Sequence, residues 1–300
     1  MVKQMLETRL SAPLSTQIEL VFITTSGDQQ QQRPLADSGG KGLFIKEIET
    51  ALLEDRIDLA VHSAKDLPAQ LATGTVIAGT PLRADPSDVW IGFENKSISQ
   101  LPASAVVGTS SLRRQSLLLA IRPDVIVEPL RGNIETRLRK VKDGAVAGTF
   151  LAQAGLDRTN LLPERAVSLP LDEFIPAAGQ GVLAIQARTQ DSAMRKLAGM
   201  INHIGTASAL AFERRVVAAL AGNCLAPIGV CAMPRGNAGN TLNGWIVRAF
   251  LATPDGKKMS RATLLTEDPS DAGLNGLYDL LLETLHQRGS AEIMQLINSQ

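Results

Sequence analysis

Short apolar runs typical of strands alternate along this chain with segments of helical periodicity. The clearest case runs from Val106 and Val107 through a polar turn at 108–111 into a helix that begins near Leu112. A strand, a tight turn and a helix in succession form the unit from which α/β sheets are built. The sequence therefore predicts an α/β fold with two successive α/β domains.

The same pattern predicts further elements. The predicted strands lie at Ile18–Thr24, Asp58–His62, 125–127, 146–151 and 182–186. The predicted helices lie around 43–52 and at 134–141 and 206–220, and a hairpin of 245–253 with 259–265 is followed by helices at 274–285 and 291–297. The hairpin and the last two helices predict a smaller α+β unit. Residues 25–41 are polar and glycine-rich, and a loop of this length is typical of a lid.

Charge and cysteine content exclude several classes of protein. Thirty basic residues balance thirty acidic ones, which argues against a nucleic-acid coat or a membrane-surface role. The two cysteines offer no disulfide framework and no zinc spacing, so no metal is predicted. No apolar stretch approaches the roughly 20 residues of a transmembrane helix, and the first residues lack a signal-peptide core. These features predict a cytoplasmic protein.

Two arginines stand at an unfavourable place. Arg113 and Arg114 fall in the first turn of a predicted helix, where they oppose the helix dipole. An anionic partner would compensate, and Ser110 or Ser111 can cap the helix. Ordinary solvated arginines are the alternative interpretation, and this segment alone does not decide between them.

Further arginines follow the next two predicted strands. Arg131 and Arg137 lie at the start of one helix, and Arg158 follows Gly155 and Leu156. Such connections meet at the carboxyl edge of an open α/β sheet, where ligands bind. Because arginine suits carboxylates, the set predicts a ligand with several carboxylate groups. Surface solubility is the alternative.

Two residues next to turns carry possible chemistry. Asp66 follows a predicted strand beside Lys65, and its carboxylate can hold a cationic or N–H-bearing ligand, although a turn-capping aspartate is the simpler interpretation. Cys224 lies in a loop, which favours covalent chemistry, although for this residue taken alone a spare buried thiol is the preferred interpretation. Cys231 and His62 are interpreted as structural.

Seven strings, taken together, resemble the porphobilinogen deaminase family over almost the whole chain. They are GGKGLF at 39–44, AVHSAKDLP at 60–68, VGTSSLRR at 107–114, RGNIETRL at 131–138, AGLDR at 154–158, AAGQG at 177–181 and GNCLAPIG at 222–229. Each string alone is modestly specific, whereas seven in register are very specific.

The resemblance implies two α/β domains like those of periplasmic binding proteins, plus a smaller α+β C-terminal domain. Domain 1 would comprise 1–81 with 182–199, domain 2 would comprise 87–175, and domain 3 would comprise 204–300. The implied activity is that of a transferase of tetrapyrrole and heme biosynthesis, hydroxymethylbilane synthase. It condenses four porphobilinogens, with release of ammonia, into hydroxymethylbilane on a dipyrromethane primer. A monomer with porphobilinogen as its partner is expected.

The resemblance also implies roles for individual residues. Cys224 would carry the dipyrromethane cofactor through a thioether, and Asp66 would be the catalytic aspartate. Positions that match cofactor-binding groups are Lys65, Ser111, Arg113, Arg114, Arg131 and Arg137. Positions that match substrate-binding groups are Arg9, Ser11, Arg131, Arg137 and Arg158. Lys41 and Phe44 match positions of the lid.

The N-terminal region departs from the family pattern. The family match implies a strand near Met5–Arg9 and a helix after the Thr-Arg-x-Ser segment, whereas here Ser11 is followed within seven residues by Ile18. Parallel strands need a crossover of about a dozen residues or more, so the usual pairing is impossible. This predicts reduced stability and weak turnover, and a catalytically impaired homologue is one alternative. A small-anion-binding receptor on the same scaffold is another, although it would not need Cys224.

Overall fold

The computed structural model describes residues 1–10, 18–25, 45–221, 226–236 and 242–299, without the side chains of residues 221 and 242. This part of the chain forms two compact units, each made of two sections of sequence. The first comprises Met1–Ala84 and Val182–Leu210, and the second comprises Asp85–Gly181 and Ala211–Gln300. The division into three domains stays a prediction.

Helices and strands alternate between residues 106 and 159, whereas elsewhere several like elements follow one another. The helices are α1 (Val2–Arg9), α2 (Lys46–Leu53), α3 (Leu112–Ile121), α4 (Ile134–Lys142), α5 (Gln153–Thr159), α6 (Ser192–Gly199), α7 (Ile204–Ala221), α8 (Asp271–Gln287) and α9 (Ser290–Asn298). The strands are β1 (Ala60–Ser63), β2 (Thr75–Gly79), β3 (Asp88–Gly92), β4 (Val106–Gly108), β5 (Ile126–Glu128), β6 (Gly148–Ala152), β7 (Val167–Ser168), β8 (Leu183–Arg188), β9 (Ile228–Gly236), β10 (Leu242–Ala252) and β11 (Met259–Thr266). No described helix is both long and apolar enough to cross a membrane.

The first unit is built on a three-stranded sheet in the order β1-β8-β2, with both pairs antiparallel. Buried and exposed residues alternate along β1, as in a strand with one face on a core. An apolar cluster of this unit joins Ile45, Ala64, Leu67 and Val182. The predicted strand Asp58–His62 is confirmed with shifted ends, because only Ala60–Ser63 pairs with β8.

The second unit contains a five-stranded sheet in the order β5-β4-β6-β3-β7. β4 runs parallel to β5 and β6, whereas β3 runs antiparallel to β6 and β7. The carboxyl ends of β4, β5 and β6 therefore share one edge of the sheet. Asp88, the first residue of β3, lies at the same edge, because it pairs with Ala152 at the end of β6. The predicted strand–turn–helix order is confirmed, since a helix follows each parallel strand.

A second sheet in this unit is antiparallel, in the order β11-β10-β9, and is followed by α8 and α9. This confirms the predicted hairpin and the two helices after it. One apolar cluster joins Trp90 and Phe150 of the larger sheet to Cys231 and Phe250 of the smaller one. Cys231 is completely buried there, which supports its interpretation as a structural residue.

Both predicted N-terminal strands are wrong. The segment near Met5–Arg9 belongs to helix α1, in which Leu6 is buried. Residues 18–25 form no strand, and the side chain of Phe22 is 91% exposed. An apolar run becomes a strand only where a neighbour supplies hydrogen bonds, and no described strand pairs with this segment.

No crossover is needed between residues 1–10 and 18–25, because these residues contain no parallel strands to connect. The expectation of weakened stability and turnover is therefore not carried further. The predicted lid lies outside the described residues from residue 26 onward, as do Lys41 and Phe44.

Candidate functional site

Asp66 ends a 3-10 turn, Ala64–Asp66, that follows β1 in the first unit. The Ala64 N–H donates to the Val182 carbonyl at 3.0 Å, and the Leu67 N–H donates to the Ala64 carbonyl at 3.2 Å. Ala64 and Leu67 are buried, whereas Asp66 is exposed and accepts no hydrogen bond from the described residues. An anchored turn therefore presents this carboxylate to solvent, with the half-buried Lys65 beside it.

His62 in β1 is buried and belongs to a chain of hydrogen bonds. Gln186 Nε2 donates to Glu49 Oε1 (2.8 Å) and Thr75 Oγ1 (2.7 Å), so Gln186 Oε1 accepts from His62 Nε2 (2.8 Å). Burial lowers the pKa of His62, and the Gln186 hydrogen bond and the charges of Glu49 and Asp66 only partly oppose it. The interpretation of His62 as a packed histidine rather than a base is supported.

The burial of His62 makes stability depend on pH. Its pKa is lower in the folded than in the unfolded state, so the unfolded state binds the proton more readily. The contribution of neutral His62 is full above the unfolded pKa of about 6.5. This contribution is lost as the pH falls from the pKa of the unfolded state toward the lower pKa of the folded state. Urea unfolding between about pH 5.5 and about pH 8 should show the free energy of unfolding declining on the acidic side.

The variant His62→Gln should flatten this slope, because glutamine does not titrate and can still donate to Gln186. His286→Gln is the control, since His286 is exposed on α8, and it should leave the slope unchanged. If His62→Gln kept the slope of the unchanged protein, another group would be responsible.

Five arginines of the second unit lie along the sheet edge where the parallel strands end. They are Arg113 and Arg114 after β4, Arg131 and Arg137 after β5, and Arg158 after β6. The strand order β5-β4-β6 brings these three connections to a common edge. Ligands bind at this edge in open α/β sheets. We call these residues the arginine edge.

The turn after β5 determines where Arg131 and Arg137 lie along the sheet edge. Gly132 has φ +113°, and a Cβ there would lie 2.7 Å from the Thr136 side chain, so the turn requires glycine. Asn133 caps α4 by accepting from the Thr136 N–H at 2.8 Å, and Arg137 Nε donates to the Gly132 carbonyl at 2.8 Å. Arg131 is half-buried, with no hydrogen bond or ion pair to the described residues. Its guanidinium can therefore meet a ligand.

Arg158 is held more loosely at the end of α5. Its Nη2 donates to the Gly181 carbonyl at 2.7 Å. Burial of the guanidinium lowers the pKa of Arg158, and the charge of Asp157 only partly opposes this. One backbone contact thus aims the side chain, while most of its N–H donors stay uncommitted to the described residues.

Arg113 and Arg114 are 6% and 7% exposed and share one carboxylate. Asp88 Oδ2 lies 2.7 Å from Arg113 Nη2, and Asp88 Oδ1 lies 2.8 Å from Arg114 Nη2. The interpretation of this pair as solvated arginines is therefore wrong. The partner that compensates the helix dipole is a carboxylate of the chain itself rather than a ligand alone. Two guanidinium groups against one carboxylate still leave one buried positive charge in excess.

Ser111 is the N-cap of α3, as predicted. Its hydroxyl accepts from the Arg114 N–H at 3.4 Å, while the Ser110 hydroxyl donates to the Leu130 carbonyl at 3.2 Å. A capping hydroxyl uses a lone pair and keeps its own hydrogen. Ser111 can therefore still donate to an anion at the arginine edge.

The sequence analysis missed Asp88 and Gln180. Gln180 is completely buried and donates through Nε2 to Asp88 Oδ1 at 2.9 Å and to the Pro86 carbonyl at 2.7 Å. The sequence contains a signal for Asp88, because this residue opens an otherwise apolar strand. A buried charge there needs a partner of opposite charge. Nothing local indicates that Gln180 belongs to this site.

The remaining predicted site residues are Cys224, Ser11 and Arg9. Cys224 and Ser11 fall outside the described residues, as stated above for Lys41 and Phe44. Arg9 is exposed in the last turn of α1, whereas a strand was predicted near Met5–Arg9. The assignment of Arg9 and Ser11 to the substrate site stays a prediction.

Comparison with known proteins shows the family of the chain. Residues 1–196 match the family described as "Porphobilinogen deaminase, dipyromethane cofactor binding domain". The porphobilinogen deaminase of Brevibacillus brevis is 42% identical over 277 residues, covering 90% of this chain and 88% of that protein. That of Sorangium cellulosum is 45% identical over 240 residues, covering 80% of this chain and 78% of that protein. The chain belongs to the porphobilinogen deaminase family.

Membership of the porphobilinogen deaminase family confirms the resemblance seen in the sequence, and the sheets and helices confirm the α/β class. A receptor is not favoured, since the relatives are named as deaminases. Among solved structures, the ligand-binding component of an ABC-type import system from Staphylococcus aureus aligns with a TM-score of 0.39 and 14% identity. It covers 69% of this chain and 68% of that one. A likeness at this level supports no conclusion about the site.

The arginine edge fits the cofactor that the family description names. A dipyrromethane built from two porphobilinogens carries carboxylate side chains, which need positive charge and hydrogen-bond donors. The edge offers an excess positive charge at Arg113 and Arg114, a half-buried Arg131 and the Ser111 hydroxyl. In a porphobilinogen deaminase this donor set is of the right chemical kind.

Proposed function

We propose that this member of the porphobilinogen deaminase family is an active transferase, which joins four porphobilinogen molecules, with release of ammonia, into hydroxymethylbilane. The buried excess of positive charge at the arginine edge carries the proposal. Porphobilinogen has an acetate and a propionate group, so each ring brings two carboxylates. Arginine suits them because its planar fork donates two parallel hydrogen bonds to a carboxylate.

Asp66 is assigned as the catalytic residue. Loss of ammonia from the aminomethyl group of porphobilinogen leaves a cation. A carboxylate on an anchored turn stabilises developing positive charge without having to reorganise during the reaction. The half-buried Lys65 next to it is assigned to an anionic group of the cofactor.

Dipyrromethane joined to Cys224 through a thioether supplies a tethered pyrrole to which rings are added. The residues assigned to its carboxylates are Lys65, Ser111, Arg113, Arg114, Arg131 and Arg137. The residues assigned to the incoming substrate are Arg9, Ser11, Arg131, Arg137 and Arg158. By holding both partners, they convert an encounter in solution into a reaction between positioned groups.

The test is formation of hydroxymethylbilane by the purified chain. Unchanged protein should release it from porphobilinogen, and Arg131→Leu should do so about 10- to 100-fold more slowly at low substrate concentration. A hydrogen bond to a charged group contributes roughly 1.5–3 kcal/mol, and about 1.4 kcal/mol corresponds to a tenfold effect. Product is followed by chromatography over a series of substrate concentrations.

Arg139→Leu is the matched control. Arg139 lies on α4 like Arg137, is exposed, and makes no side-chain hydrogen bond or ion pair to the described residues. The Arg139→Leu variant should form hydroxymethylbilane at the rate of the unchanged protein. Absence of product from unchanged protein would contradict the proposed function, whereas equal rates for Arg131→Leu and Arg139→Leu would remove Arg131 from the site.

A monomer acting in the cytoplasm, with porphobilinogen as its partner, completes the proposal. These statements come from the sequence and the family. Light scattering on the purified protein measures the oligomeric state.

A further inference from the structure

Asp88 occupies an unusual place for a charged residue. It is completely buried at the start of β3, where every other residue of the strand is apolar or glycine. Its two carboxylate oxygens are divided between the arginines. Oδ2 accepts from Arg113 Nη2 at 2.7 Å, and Oδ1 accepts from Arg114 Nη2 at 2.8 Å and from Arg114 Nε at 3.2 Å.

Each guanidinium is also held at a second point. Arg113 Nη1 donates to the Ile175 carbonyl at 2.8 Å, and Arg114 Nη1 donates to the Phe150 carbonyl at 2.8 Å. A planar group fixed at two places has one orientation, so the direction of its remaining N–H donors is also fixed. Because so little of either residue is exposed, that direction decides whether a ligand can reach a donor.

The charges of Asp88, Arg113 and Arg114 at neutral pH favour the same hydrogen-bonded arrangement. Burial alone would raise the pKa of the Asp88 carboxyl, but the charges of Arg113 and Arg114 outweigh it and hold that pKa well below its usual range. Burial lowers the pKa of Arg113, and Asp88 opposes this. The cluster therefore contains one anion and two cations, and a single ligand carboxylate would neutralise it.

We propose that Asp88 is a positioning residue of the cofactor site, which locks Arg113 and Arg114 in the orientation that receives one carboxylate of the dipyrromethane. This inference rests on the proposed function. Asp88 itself does not touch the cofactor. Gln180 assists by holding Asp88 Oδ1, so the order of contact runs from Gln180 through Asp88 to the two arginines.

The test uses the full chain, purified from cells that make no porphobilinogen. Asp88→Asn keeps the shape but replaces one acceptor oxygen by an N–H donor that faces a guanidinium. The porphobilinogen concentration needed for half-maximal adduct formation should rise roughly 10- to 100-fold, as for loss of a charge-assisted contact. The kcat of the fraction that does carry the adduct should stay within about twofold, because Asp66 is untouched. Asp88→Glu, which restores the charge, should recover part of the affinity.

A merely structural role would lower the melting temperature without changing the half-saturating concentration. Asp88→Asn is therefore also made in an Arg113→Leu background. If Asp88 acts through the arginines, the two effects should combine to less than their product. Gln180→Met, in which the side chain keeps a similar volume, should raise the half-saturating concentration by a smaller factor. If Asp88→Asn does not fold, this variant tests the role of Asp88 in its place.

The outcomes separate the two proposals. Unchanged protein that forms neither adduct nor product would overturn the proposed function. Adduct and product from unchanged protein, together with an unshifted half-saturating concentration in Asp88→Asn, would overturn only the role of Asp88. If Asp88→Asn is insoluble, an unchanged half-saturating concentration in Gln180→Met would likewise overturn the role of Asp88. That role would also be overturned if the effects of Asp88→Asn and Arg113→Leu multiplied fully in the double variant.

Discussion

Replacing Cys224 with serine is expected to abolish both the dipyrromethane adduct and the release of hydroxymethylbilane. A thiolate is a strong nucleophile toward carbon, whereas a serine hydroxyl is a weak one unless a base activates it. Without the thioether, the growing chain has no anchor. Intact-protein mass should show the unchanged protein heavier than its sequence by one dipyrromethane, and Cys224→Ser at the mass of its sequence.

Cys231→Ala is the control for this experiment. Cys231 is completely buried in the apolar cluster of the second unit, so its removal should lower stability and leave the adduct in place. Peptide mapping locates the added mass. An adduct on Cys231, or product from a Cys224→Ser protein without adduct, would refute the assignment of Cys224.

Replacing Asp66 with asparagine is expected to lower kcat by about 10²–10³-fold. Asparagine keeps the size of the side chain and removes the charge that we propose stabilises the developing cation. Because Asp66 is exposed and accepts no hydrogen bond from the described residues, the fold should not change, and the melting temperature should stay close to that of the unchanged protein. Single-turnover measurements on protein that already carries the adduct isolate this step.

Asp55→Asn serves as the matched control, since Asp55 is an exposed aspartate of the same unit whose positive φ of 56° suits asparagine. It pairs with Arg188 at the surface, a contact that contributes little. Its turnover should equal that of the unchanged protein. If Asp66→Asn turned over equally fast, Asp66 would be only a turn residue.

The arginine edge could be predicted because its determinants are local. The helix start at Leu112, the cap at Ser111 and the connection around Arg131 each follow from a few adjacent residues. The rule that parallel strands end at one edge then brings the arginines together. Sequence reasoning works where short patterns and general sheet rules suffice.

The partner of Arg113 and Arg114 could not be predicted in the same way. Asp88 is separated by 25 residues from Arg113, and Gln180 by 92 residues from Asp88. Asp88 reaches the edge where Arg113 and Arg114 lie because β3 runs antiparallel to β6. A periodic pattern gives no strand direction, so an anionic ligand was the nearest available inference.

The N-terminal error has a different origin. Val2, Met5 and Leu6 stand at the i, i+3 and i+4 spacing of a helix face, and α1 forms there. The strand prediction came instead from matching Thr8–Ser11 to a family segment. Local periodicity was the better guide where a short match and the pattern disagreed.

The exposed segment around Phe22 matters for handling the protein. Leu20, Val21 and Phe22 are 59%, 56% and 91% exposed, within a run rich in β-branched and apolar residues that contains one charge and no proline. Such runs form cross-β contacts between identical chains when they are accessible. Self-association in a sample would therefore begin at this short stretch and grow with protein concentration. Kinetic constants are thus best measured in dilute protein, where encounters between copies are rare.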